Sequence, residues 1–185
     1  MVQSSIQDCI NKLEQIARDV KEKFSTLSKD QLMWNSSPGQ WSIAQCLQHL
    51  IISNETYFPV FQKLQKGYNP GFWEKYNPFS HSTGKSMVES LGKKVKRKFK
   101  SPRLFLPAPL KAGENIIESF LTHQVKLITL IESLSETDPK KIMISSPVSP
   151  LITLSLHDCL LVISGHEERH LEQARQVMLS DGFPG

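Results

Sequence analysis

The sequence has no apolar run of roughly 18 residues, so no segment is expected to span a membrane. Met1 to Ile10 lacks a basic stretch leading into an apolar core, so no signal peptide is expected. Cysteine is scarce. Cys9, Cys46 and Cys159 form an odd, scattered set with no CxxC pair, which favours a reduced, cytoplasmic protein over a disulfide framework. Internal repeats are missing too, as are strand-period segments of convincing length, and both absences point to an all-α chain. With 39% hydrophobic and 22% charged residues, the 185-residue chain is expected to be one soluble domain, 1–185, long enough to bury a core.

One further absence is local. Lys93 to Arg103 contains no acidic residue and seven basic ones, more than the whole chain's net charge of +4, so the remainder is net acidic. The run admits three readings: a solvated loop or short helix, a patch for a nucleic-acid backbone, or a contact for an anionic small molecule. Solvation is the simplest, and nucleic acid is the least favoured.

What is present is helical periodicity. Ile6, Ile10, Leu13, Ile16, Ala17, Val20 and Phe24 predict a first helix over residues 4–25. Ser42 with Gln45 three residues later is a capping box, and it opens a second helix expected to run to about Lys66 and stop before Gly67. That helix has a large stripe (Ile43, Leu47, Leu50, Ile51, Phe58, Phe61) and a narrower one (Ser42, Cys46, His49, Ser53, Thr56, Val60). On the narrow stripe His49 stands among small side chains, which suits a pocket. Glu114 to Ser135 reads as the third helix, with His123 on it but without a companion at ligand spacing. Leu156, Leu160, Ile163, Leu171, Ala174 and Met178 define the fourth, capped by Ser155 and Asp158.

Two irregular stretches separate these helices. Residues 67–112 carry Pro70, Pro78, Pro102, Pro107 and Pro109, with Tyr68, Phe72, Trp73, Tyr76 and Phe79 crowding the first third. A short basic helix fits 86–98. A connection this long can cross a whole bundle and bring the third helix back parallel to the second. Its aromatics and its basic run are expected to form the mouth of a site. Residues 136–154, with Pro139, Pro147 and Pro150, are expected to be irregular. Four amphipathic helices imply a four-helix bundle, a fold that builds metal sites from core positions on facing helices.

The fourth helix carries the sharpest motif, Gly165-His166-Glu167-Glu168-Arg169-His170-Leu171. Histidines four apart differ by only about 40° around a helix, so both imidazoles can reach one ion. With His49 they make three neutral nitrogen donors and leave a fourth position open, as catalytic zinc sites do. The bland reading is three packed core histidines. Another is the HExxH metalloprotease pattern with Glu167 as general base, but only fifteen residues follow His170, and Gln173 and Gln176 occupy the places where the extended motif has Gly and His. Glu167 is a weak catalytic candidate, expected to be solvated or helix-stabilising.

Pro38-Gly39-Gln40-Trp41-Ser42-Ile43-Ala44-Gln45-Cys46-Leu47-Gln48-His49-Leu50, together with the late Gly165-His166 to His170-Leu171-Glu172-Gln173, resembles the signature of the DinB/YfiT-like superfamily. The resemblance extends over nearly the whole chain. It implies a four-helix bundle of that type, with a long crossover between helices two and three. It also implies one divalent ion, nickel or zinc, on His49, His166 and His170, and often a homodimer. Some members of the family act on adducts of low-molecular-weight thiols such as bacillithiol or mycothiol. The implied activity is a metal-dependent hydrolase or thiol S-transferase for a small, anionic, thiol-containing substrate. The alternative is a non-catalytic stress-response or binding module with a structural or vestigial metal site.

Overall fold

Helix formation follows the apolar periodicity closely. In the computed structural model, which describes residues 2–91, 103–107 and 114–185, α1 spans Val2–Phe24. It buries Ile6, Ile10, Leu13, Ile16, Val20 and Phe24 along one stripe. A short α2, Lys29–Met33, lies in the following connection and is closed by its own capping box at Ser28 and Gln31.

Helix α3, Ile43–Glu55, begins as its sequence dictates. The Gln45 backbone N–H donates to Ser42 Oγ at 3.2 Å, and the Ser42 N–H donates to Gln45 Oε1 at 2.9 Å. It does not continue unbroken to Lys66. Thr56 and Tyr57 interrupt it, and α4, Phe58–Gln65, starts anew with Pro59 in its first turn. Proline has no N–H and its ring clashes with the carbonyl four residues back, so a first-turn position suits it and a helix interior does not. Gly67, at φ 79°, then stops α4 in a left-handed conformation that glycine adopts without strain.

The long middle stretch is partly structured. It holds α5, Phe72–Tyr76, α6, Ser80–Leu91, and a 3-10 turn at Arg103–Phe105. The helix expected over 86–98 thus begins earlier, at Ser80. Residues 92–102, which include most of the basic run, lie outside the described residues. Helix α7, Ile116–Glu132, is capped by Asn115, whose Oδ1 accepts from the Ile117 and Glu118 N–H groups.

The stretch expected to be irregular contains an antiparallel hairpin. Strand β1, Met143–Ser146, pairs with β2, Ser149–Ser155, with Ile144 opposite Leu154 and a register shift at Ser145/Ser146. Ile144 and Leu154 point into the core, and Thr153 receives Asn77 Nδ2–H at 2.7 Å. Ser155 ends β2 and caps α8, Leu156–Met178.

Among the described residues the chain is mostly helical, with this single small sheet. Helix α1 packs on α7 and α8, α3 packs on α8 and α7, and α6 packs on α8 and β2. Two apolar clusters divide the interior. One joins the first half of α1, α4, the end of α7, the hairpin and the start of α8. The other joins the second half of α1, α3, the start of α7 and the end of α8. None of the described helices is long and apolar enough to cross a membrane.

Candidate metal centre

At the α3–α8 contact the three histidines meet. His49 enters from α3, and His166 and His170 enter from successive turns of α8. Each offers a ring nitrogen, and these nitrogens lie within 4.8 Å of one another. His49 and His170 are buried and His166 is half-buried. The rings are mutually edge-on, with centroids 4.6–5.0 Å apart.

The hydrogen bonds settle one tautomer. His49 Nδ1 lies 2.6 Å from the Phe105 carbonyl oxygen, which can only accept, so Nδ1 carries the proton and Nε2 of the neutral ring presents a lone pair. A carbonyl behind the ring is the usual way that a metal-ligating imidazole is oriented. His49 Nε2 faces His166 Nε2 at 3.2 Å. Two nitrogens each about 2.0–2.1 Å from a tetrahedral ion would stand ~3.3 Å apart, so this pair already has ligand spacing. The full set is wider, and the third imidazole must swing inward to complete it. His170 Nδ1 is buried without a hydrogen-bond partner among the described residues.

Electrostatics keep the three rings neutral. Burial lowers the pKa of His49, and the Arg169 guanidinium lowers it further against the Phe105 hydrogen bond, which raises it. His166 is held well below the usual histidine range by burial, then by His170, His49 and Arg169. His170 falls to about 3, by burial first and then by His49 and Arg169. Neutral imidazoles are the form that binds metal, so the donor set fits a divalent ion without any proton having to leave at neutral pH.

A family model of the DinB superfamily matches residues 12–174. The chain belongs to the DinB superfamily. No curated protein and no solved structure matches it. Within this DinB-superfamily chain, His166 and His170, singled out by spacing, and His49, singled out by its small neighbours, are the histidines that the fold gathers.

The other candidates fare differently. His81 is exposed on α6, and His157 lies at the start of α8, outside the cluster. His123 is buried on α7, where it stacks on Phe58 at 5.3 Å, and burial lowers its pKa to about 4. Cys46 is packed in the second apolar cluster, and burial pushes its thiol up to about 12.

Glu167 is neither solvated nor turned toward the histidines. It is fully buried, with Asn54 Nδ2–H donating to Oε1 at 2.6 Å and Gln124 Nε2–H donating to Oε2 at 2.7 Å. Burial pushes its carboxyl up to about 8, against the lowering effect of these two donors. The carboxylate thus ties α8 to α3 and α7. With both oxygens taken, it does not stand as the general base of an HExxH protease.

The aromatic-rich part of the middle stretch is not at the site either. Trp73 Nε1–H donates to the Leu151 carbonyl at 3.2 Å, and Glu74 Oε1 accepts from the Ser145 N–H and hydroxyl. These bonds hold α5 on the hairpin, next to the start of α8. His166 lies ten residues into that helix, about 15 Å along its axis. Among the described residues of the stretch, the Arg103–Phe105 turn is the part that touches the histidines, through the Phe105 carbonyl.

Three participants escaped the sequence reading. Trp41 places its ring 4.7 Å from that of His49 and stacks at 5.6 Å on His170. Its position one residue before the cap was the available signal. Arg169 was quoted inside the motif without a role. The Phe105 contact uses a backbone carbonyl, and side-chain patterns carry no trace of such a contact.

Proposed function

We propose that His49, His166 and His170 hold one divalent ion, nickel or zinc, and that the chain is a metal-dependent enzyme of the hydrolase or thiol S-transferase type. The observation that carries this reading is the 3.2 Å approach of two neutral imidazole nitrogens, one with its tautomer fixed by Phe105. A bound ion would supply concentrated positive charge, favouring the ionised, nucleophilic form of a water or thiol brought against it. The protein's own residues do the rest. Phe105 keeps the His49 proton on Nδ1, burial keeps all three imidazoles neutral, and Trp41 covers two rings from solvent. The substrate is read as a small, anionic, thiol-containing molecule, in keeping with the family resemblance.

The architecture is read in the same way. Helices α1, α3–α4, α7 and α8 are taken as the four members of a DinB-type bundle. Both α3–α4 and α7 pass from the second apolar cluster to the first, which favours a crossover that returns α7 parallel to α3–α4. The chain is further read as one domain that acts as a cytoplasmic homodimer, a state that sedimentation would test.

Metal analysis of purified protein tests the centre. One equivalent of ion is expected. Replacing His49, His166 or His170 with Ala should reduce uptake at least about tenfold, while His81→Ala and His157→Ala should leave it unchanged. X-ray absorption should then find three imidazole nitrogens and an exchangeable light-atom ligand. A fourth ligand from a protein side chain would favour a structural or vestigial site and a non-catalytic binding module.

A further inference from the structure

Arg169 lies on the surface of α8 between the two site histidines in sequence. Three residues on from His166, it stands about 60° to one side of that residue around the helix, while His170 stands about 40° to the other. It is half-buried, yet no carboxylate pairs with it among the described residues. The other arginine of α8 behaves differently: Arg175 pairs with both Asp19 and Glu172.

The placement is costly for a cation site taken alone. A guanidinium one helical turn from His166 and next to His170 in the chain repels a divalent ion held by those rings. An anion entering between ion and guanidinium would turn the repulsion into two attractions. Resting on the metal-centre reading, we propose that Arg169 anchors a carboxylate of the substrate by its planar fork of donors, so that the substrate's thiol reaches the three histidines. The preferred substrate class is therefore a thiol bearing a carboxylate a few bonds from its sulfur. Arg169 is the residue that separates such a thiol from a neutral one.

Calorimetric titration of nickel-loaded protein with 3-mercaptopropionate and 2-mercaptoethanol tests this. Wild type should bind the carboxylate thiol at least about tenfold more tightly than the neutral one, Arg169→Gln should bring that ratio close to one, and Arg169→Lys should keep part of it. Unchanged nickel content and unfolding temperature in the variants would exclude a merely structural effect. If Arg169→Gln does not fold, Arg169→Lys carries the test alone. A preference that survives both substitutions overturns the proposal. If wild type takes up no nickel, the metal reading fails. The same pair of ligands on metal-free protein then decides for Arg169: an Arg169-dependent carboxylate preference supports it, and equal binding of the two thiols refutes it.

Discussion

His166 and Glu167 are consecutive residues of one helix, and they face two regions built on opposite rules. Around Glu167 each carboxylate oxygen has an amide donor, from Asn54 and Gln124, in a fully buried setting. Around His166 the polar atoms converge on one another instead. Its ring faces another neutral nitrogen, and the neighbouring His170 has a buried nitrogen with no partner among the described residues. Buried polar groups are normally satisfied, so unmet ones invite a ligand, although Gln124 Oε1 beside Glu167 is itself without a partner among the described residues. His123 qualifies the rule. It too has ring nitrogens without partners, but it stacks on Phe58 with no second imidazole at hand. An unmet nitrogen points to a ligand site only when others converge on it.

The largest expected effect would break the contrast on the Glu167 side. Glu167→Ala strands the Asn54 and Gln124 donors in the core and should cost about 2–4 kcal/mol in urea unfolding. His166→Gln in metal-free protein severs a single hydrogen bond on a half-buried ring and should cost about 1 kcal/mol or less. Equal losses would erase the distinction between the two regions.

The His123 exception can be sharpened by pH. Its folded-state pKa of about 4 lies below the ordinary 6.5, through burial and then Lys126. Between those values the unfolded chain binds a proton that the native state refuses. The contribution of neutral His123 is therefore intact above pH 6.5 and is lost as pH falls towards 4, by about 2–3 kcal/mol in all. His123→Phe should flatten the stability–pH curve by that amount relative to wild type.

A smaller effect is expected at Gly84. A Cβ there would overlap the Asp158 carboxylate, which accepts from the Ser155 hydroxyl at the start of α8. Gly84→Ala should lower stability by about 1–3 kcal/mol, read as a fall in unfolding temperature. Smallest is Ser42→Ala, which removes one cap from α3 and should cost about 1 kcal/mol while leaving the metal centre assembled.

The histidine cluster was legible because both of its signals are local. A four-residue spacing fixes the relation of His166 and His170, and the Ser42–Gln45 box fixes where α3 starts and hence how His49 faces. The partners of Glu167 were not legible, since Gln124 is 43 residues away and Asn54 is 113 residues away. A charged residue on a helix gives no local sign that two amides will meet it in the core. Pro59 did carry a local signal for the break between α3 and α4, but the apolar stripe of Phe58 and Phe61 ran through it. In the hairpin, Pro147 and Pro150 hid the alternation of Ile144 and Leu154, because prolines read as breakers even beside a turn. The aromatics of α5 were assigned to the site from composition alone, whereas pairing with the hairpin determines their place.

His49 and His166 stand 117 residues apart in the chain. During synthesis the first imidazole leaves the ribosome long before its partners exist, so an ion has nothing to template in the first half of the protein. The proposed centre would act as a latch rather than a nucleus, since its donors from α3 and α8 meet only where those helices pack. Any ion held there adds stability in proportion to the logarithm of its free concentration over its dissociation constant. The equilibrium stability of the fold would then track metal supply.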